Sequence, residues 1–255
     1  MIAVPVNKAR RMVRRALGLI DRPEAGGNAY WRRRHSRFDG SLRAVGNIGL
    51  TDAENQEDYA IRWEHTARVI ADVVPDPRGR HLLDAGCGSG VFSRRYADAG
   101  FRVVGVDVAP AAIAAAARTC EGEFHEGDLA QIDLGRRFAV VACHNVLMCV
   151  VGDDEVRRTL RNLGGMIEPG GHLLVQEGVR SERAGERQPS HIRLRTVSEH
   201  RALLSEVGLE IVREDDFGVP HEPLRQWLFV ARLPAQTLRT SSAAGSGDHP
   251  SSAPA

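Results

Sequence analysis

The segment Leu82-Leu83-Asp84-Ala85-Gly86-Cys87-Gly88-Ser89-Gly90 runs from apolar residues through an acid into a glycine-rich turn. Glycine is required where backbone must turn sharply and lie against a ligand with no Cβ between them. A dinucleotide fingerprint would read G-x-G-x-x-G, with its third small residue at a helix packing point. Counted from Gly86 that position is Val91, and counted from Gly88 it is Ser93. The pattern present is D-x-G-x-G-x-G. An acid at the end of the strand repels a pyrophosphate and suits a ligand that carries an ammonium group.

Two more carboxylates occupy matching places. Val103-Val104-Gly105-Val106-Asp107 ends in an acid about twenty residues after the glycine turn, where a ribose diol is gripped by charge-assisted hydrogen bonds. The run Glu126-Gly127-Asp128-Leu129 sets a third acid where an exocyclic adenine amine would donate to it. Any one of these acids alone reads as a helix cap or turn residue. Three at successive strand ends beside one glycine turn point to a nucleoside site.

Positioning these groups demands short strands alternating with helices. Strands are expected at 81–84, 102–107, 123–126, 138–144, 172–177, 209–215 and 226–232. Helices are expected near 91–99, 110–118, 154–167 and 197–207. Such alternation makes an α/β fold, a doubly wound sheet with helices on both faces. Upstream, Thr51-Asp52-Ala53-Glu54 has the form of a capping box, and the helix it opens carries Tyr59, Trp63, Ala67, Ile70 and Val73 along one face.

Composition sets the outer bounds. With 42% apolar and 26% charged residues, the chain is ordinary for a globular protein, and no apolar run reaches the length that spans a bilayer. Cys87, Cys120, Cys143 and Cys149 form no CxxC pair, and no His/Cys/Asp cluster has metal-ligand spacing. A reducing cytoplasm suits these thiols, and no metal is expected. The net charge of +1 hides eleven Lys and Arg against three acids between Met1 and Gly46. There Val6, Ala9, Val13, Ala16, Leu17 and Ile20 recur at helical spacing opposite arginines, a basic amphipathic segment of the kind that lies on anionic lipid, covers RNA or docks on its own domain. Its arginines break the apolar start, so no secretory leader is expected, while the composition also resembles an organellar transit peptide. Four regions follow: 1–28 basic segment and linker, 29–78 helical lid, 79–233 core, and 234–255 a Ser/Ala/Gly/Pro tail expected to be disordered.

With LLDAGCGSG, VVGVD, EGDL and the later Ile167-Glu168-Pro169-Gly170-Gly171-His172-Leu173-Leu174-Val175 in order, the chain resembles the class I S-adenosylmethionine-dependent methyltransferases of small-molecule type. The resemblance covers roughly 79–233. It implies a seven-stranded, mostly parallel sheet whose last strand inserts antiparallel, with S-adenosyl-L-methionine as cofactor. By that resemblance Gly86, Gly88 and Gly90, with Cys87 between them, line the methionine portion, and Asp84 organises the loop or meets the amino group. Asp107 holds the ribose hydroxyls with Val108 against the adenine, and Asp128 with Leu129 reads the adenine edge.

In this fold the acceptor meets the sulfonium beyond the fourth strand, here Ala142-Cys143-His144-Asn145-Val146-Leu147. No Asn-Pro-Pro-aromatic motif appears, which speaks against amino groups of DNA bases or glutamine, and no acid ends the strand as in magnesium-dependent catechol enzymes. His144 is the first candidate general base, with a packing role as its alternative. Glu177 and His191 follow, their alternatives being a helix cap or salt bridge and a solvated loop residue. A lid built from Tyr30 to Asn47 would exclude water, with Arg43 meeting a carboxylate and Tyr30, Trp31 or Trp63 lying on a ring; plain helix packing is the alternative. The expected function is methyl transfer to oxygen or nitrogen of a small metabolite. An RNA acceptor tracked by the basic amino-terminal region and a non-catalytic regulatory subunit are the rival readings.

Overall fold

The computed structural model describes residues 27–182 and 191–234. The basic segment at 1–26, most of the linker and the tail from 235 lie outside the described residues. The central feature is one seven-stranded sheet in the order β3-β2-β1-β4-β5-β7-β6. Its strands are β1 (His81–Ala85), β2 (Arg102–Asp107), β3 (Glu123–Glu126), β4 (Phe138–His144), β5 (Ile167–Val179), β6 (Glu210–Phe217) and β7 (Arg225–Arg232). β1 pairs in parallel with β2 and β4, β2 with β3, and β4 with β5, whereas β7 is antiparallel to both β5 and β6. This is the expected sheet, inserted antiparallel strand included.

Consecutive strand residues bury on opposite faces, because strand side chains alternate with period two. Leu83, Val141, Leu173 and Phe229 join one core, and Leu82, Val140, Leu174 and Leu228 the other. Strands wetted on neither face therefore read as continuous apolar runs. The first core is covered by α5 (Asp153–Gly165) through Leu160 and Leu163 and by α6 (Val197–Glu206) through Leu203 and Leu204. The second is covered by α2 (Asp52–Val73) through Val69 and Ile70 and by α3 (Val91–Asp98) through Phe92 and Tyr96. Each fully buried Leu contributes roughly 1.5–3 kcal/mol. α4 (Pro110–Thr119) packs on β2 and β3 and meets α1 (Asn28–Arg37), the first described helix.

The capping box before α2 forms as read: the Thr51 hydroxyl accepts from the Glu54 amide, and the Glu54 carboxylate accepts from the Thr51 amide at 2.8 Å. Most boundaries fall within two residues of the sequence expectation, and the largest departure follows α5. α5 ends at Gly165 rather than 167, and β5 begins at Ile167 instead of 172. Phe138 pairs with Ile167 and Val140 already with His172, so Glu168–Gly171 are looped out of register. Gly171 permits this, since a Cβ there would lie 2.8 Å from the Ala139 carbonyl oxygen.

Candidate functional site

All the parallel strands deliver their carboxyl ends to one edge, where a cleft opens between the glycine turn, the β4 end and α1. Of the residues singled out from sequence, Asp84, Gly86, Cys87, Gly88, Asp107, Val108, Asp128, Leu129, His144 and Trp31 line it. Gly90 does not. It occupies the N-cap of α3 in the left-handed region (φ 82°), where an added Cβ would lie 3.0 Å from the Ala116 Cα.

The glycine turn is shaped by close approach. Gly86 (φ 78°) and Gly88 (φ 53°) are both left-handed; a Cβ on Gly86 would meet Val146 at 2.3 Å, and one on Gly88 would meet Val45 at 2.4 Å. Asp107 fixes the turn from β2. Its Oδ2 accepts from the Gly88 amide at 3.0 Å and its Oδ1 from the Ala109 amide at 2.9 Å. Each oxygen retains acceptor capacity for a further donor. Asp128 accepts from the Ala130 amide at 2.9 Å, an Asx turn that aims the carboxylate at the cleft wall. Asp84 accepts from the Ser93 hydroxyl at 2.6 Å. Burial pushes its carboxyl up to about 7, against that hydrogen bond, which lowers it.

The three catalytic candidates meet different surroundings. The His144 ring stacks on Phe92 with centroids 4.0 Å apart, and both its nitrogens are engaged: Nε2 with the Tyr96 hydroxyl, Nδ1 with Gln176 Oε1 at 3.0 Å. Burial pushes its pKa down to about 4. Glu177 is fully buried and does not line the cleft. Its oxygens accept from the Leu147 amide at 2.7 Å and the Met148 amide at 3.1 Å, so it caps the short 3-10 turn Leu147–Cys149 that follows β4. Buried Arg195 clamps the same loop, donating to the Leu147 and Val150 carbonyls at 2.8 and 3.0 Å. His191 stacks on Tyr30 at 4.0 Å and meets Trp31 edge-on, which joins three candidates named from the sequence.

α1 flanks the cleft, contributing Asn28, Trp31 and His35 to its lining. Arg32 donates from Nε to the Val108 carbonyl at 2.9 Å and from Nη2 to Glu126 at 3.3 Å, and Arg118 on α4 pairs with Asp39 at 2.8 Å. Arg43, expected to reach a carboxylate, instead lies 4.5 Å over the Phe38 ring and does not line the cleft. Trp63 packs edge-on to Tyr96 at 5.4 Å, also away from the cleft, because its position on α2 faces α3. Tyr30 is buried behind Trp31.

Several cleft residues escaped the sequence reading. His35 is 5% exposed, lines the cleft, and is held below its ordinary pKa by burial, with Asp107 pulling the other way. Tyr59 was read only as a core position of α2, yet it lines the cleft, and burial raises its phenol to about 12. Asn145 holds a positive φ of 55° and accepts from the Gly178 amide at 3.0 Å, turning the chain sharply after β4. The only available signal for His35 was its place in the aromatic and basic run from Tyr30 to Phe38.

Known proteins carry the same signature. The profile of a family described as a methyltransferase domain matches residues 82–171. The dTDP-4-amino-2,3,4,6-tetradeoxy-D-glucose N,N-dimethyltransferase of Saccharopolyspora spinosa is 30% identical over 122 residues, covering 45% of this chain and 47% of that protein. The ubiquinone biosynthesis O-methyltransferase of Azorhizobium caulinodans is 34% identical over 125 residues, 46% of this chain and 47% of the other. The chain thus spans about half the length of the curated relatives it matches. The magnesium protoporphyrin IX methyltransferase of Synechocystis PCC 6803, solved with bound SAM, superposes with a TM-score of 0.58 at 19% identity, over 91% of this chain and 100% of that one. Residues 82–171 thus match a methyltransferase domain, and the chain shares its fold with a solved S-adenosylmethionine-binding methyltransferase.

Proposed function

We propose that this protein transfers a methyl group from S-adenosyl-L-methionine to an oxygen or nitrogen of a small metabolite. The observation that carries the reading is the set Asp84, Asp107 and Asp128, at or just beyond the ends of β1, β2 and β3 around one glycine turn in one cleft. The cradle fits the cofactor: Gly86 and Gly88 leave backbone bare, and Asp107 keeps a free acceptor site on each oxygen. Asp84 suits the ammonium group, Asp107 the ribose hydroxyls with Val108 beside the adenine, and Asp128 with Leu129 the adenine edge. Bound there, S-adenosylmethionine supplies a methyl group on a sulfonium that is already reactive. The chain's part is to align the acceptor with that methyl and exclude water, which supplies much of the acceleration in a displacement of this kind.

Trp31, His35, Tyr59 and Phe92 form the wall on the acceptor side, and no Lys or Arg lines the cleft among the described residues. That lining favours an uncharged or amine-bearing acceptor over a carboxylate or phosphate. It accords with relatives named as an amino-sugar N,N-dimethyltransferase and an O-methyltransferase. Four free thiols support a cytoplasmic location as part of the same proposal. The test is calorimetric titration with S-adenosylhomocysteine, repeated with Asp107→Ala. A saturable isotherm weakened at least tenfold (about 1.4 kcal/mol) in the variant supports the donor site. No binding by the folded wild-type protein overturns it.

A further inference from the structure

A single hydrogen-bonded chain runs through the buried side of the cleft. The Gln176 Nε2 donates to Gln226 Oε1 at 3.2 Å, and the Gln226 Nε2 donates to Glu222 Oε2 at 3.1 Å. The Glu222 carboxylate is paired with Arg62 on α2 at 2.7 Å. At the other end, Gln176 Oε1 faces His144 Nδ1, and the Tyr96 hydroxyl faces His144 Nε2. Gln176, Gln226 and Tyr96 are 0% exposed, so no water competes for these groups.

The direction of the chain is set at its carboxylate end. An ionised carboxylate only accepts, so Gln226 must turn its amide nitrogen toward Glu222 and its oxygen toward Gln176. Gln176 must then turn its nitrogen to Gln226 and its oxygen to His144. An oxygen at Nδ1 demands a proton there. The lone pair is left on Nε2, where it accepts the Tyr96 hydroxyl proton. Each contact along the chain pairs a donor with an acceptor in this arrangement, and a doubly protonated ring would leave the Tyr96 O–H without the Nε2 lone pair that accepts it.

We propose that Glu222, Gln226 and Gln176 form a tautomer lock that keeps His144 neutral, protonated on Nδ1, making it a positioning residue that supports Phe92 beside the sulfonium rather than a general base. The function is electrostatic. The cleft receives a cationic sulfonium under the reading above, on which this inference rests, and an imidazolium in its wall would repel it. The surrounding groups act in the same sense: burial disfavours the imidazolium and so does Arg62 on α2, against the Gln176 contact, while Tyr96 on α3 is neutral. Asp84, on the neighbouring strand β1 where it pairs with Ala142, is itself held toward its neutral form by burial.

Nitrogen-15 NMR of the histidine-labelled wild-type protein reads the lock directly and needs no acceptor. His144 is expected to remain neutral with the proton on Nδ1 from pH 8 to 5. A proton on Nε2, or titration near the ordinary histidine value, overturns the lock. Glu222→Gln removes the fixed direction and should give mixed tautomers, and an unchanged pure Nδ1–H state would count against the chain as its cause. The consequence is read from the ratio of S-adenosylmethionine to S-adenosylhomocysteine affinity, ligands that differ in charge at sulfur. That ratio should be flat from pH 5.5 to 8 in the wild type. In Gln176→Glu, whose carboxylate favours imidazolium, it should fall at least threefold at the acid end. A ratio unmoved while NMR shows His144 titrating would refute the electrostatic role. Failure of the wild type to bind either ligand would instead refute the donor site, with the NMR result still deciding the lock.

Discussion

The Gly88 amide and the Asp107 carboxylate meet at 3.0 Å, so the ends of β1 and β2 are joined by a hydrogen bond at the floor of the cleft. Asp107 thus shapes the turn while also lining the cleft. The segment after α1 reaches the same point, since Val45 packs where a Gly88 side chain would be.

Gly88→Ala should therefore weaken S-adenosylhomocysteine binding at least tenfold. It places a Cβ 2.4 Å from Val45 Cγ1 and strains a φ of 53°. Adding Val45→Ala relieves the clash but not the backbone, so calorimetry of the double variant should recover part of the loss. Full recovery would show that backbone strain contributes nothing.

Asp84 makes donor binding pH-dependent. Its carboxyl is raised to about 7 when the cleft is empty, and a ligand ammonium stabilises the ionised form. Binding below pH 7 should then release a proton, with affinity falling as pH falls from 7 toward 5.5. Calorimetry in buffers of different ionisation enthalpy measures that proton. Stability has the opposite sign. The folded protein holds a proton on Asp84 that the unfolded chain loses near pH 4, so this contribution is complete below about 4 and lost as pH rises through about 7. Asp84→Asn should accordingly raise Tm relative to wild type more at pH 8 than at pH 5, while weakening binding.

Glu177→Ala should act on stability. It leaves the Leu147 and Met148 amides without their partner, at about 1–3 kcal/mol for each group left unpaired. Urea unfolding measures the loss. A variant as stable as wild type would remove the capping role and return Glu177 to the list of candidate bases.

Arg32→Ala should loosen the lid with little effect on stability. The Arg32–Glu126 pair is about half exposed on both sides, and such pairs contribute roughly 0.2–1 kcal/mol. Stopped-flow release of S-adenosylhomocysteine should quicken several-fold, with added salt producing a similar increase in the wild type. Unchanged release would mean that α1 does not gate the cleft.

The glycine-turn side of the cleft was legible because it is local. A strand, a tight turn and an acid lie within nine residues from Leu82 to Gly90, and backbone stereochemistry restricts what can stand there. Strand residues such as Leu82–Leu83 and Val140–Val141 announced a sheet covered on both faces. Thr196 and Glu199 form a second capping box ahead of α6, and the same T-x-x-E spacing signals it in the sequence.

The aromatic side of the cleft was not legible, because its residues meet only through packing. His35 and Trp31 on α1, Tyr59 on α2, Phe92 on α3 and His144 on β4 come from four separate elements. No spacing rule joins them. Sequence by itself determined the sheet, the glycine turn and the three acids, since periodicity and turn chemistry act between near neighbours. Tertiary structure alone decided that Arg43 lies on Phe38, that Glu177 caps a turn, and that His144 has both nitrogens engaged. A side chain's hydrogen-bond partners are settled by whatever folding buries beside it, and here those partners lie 32 and 48 residues away.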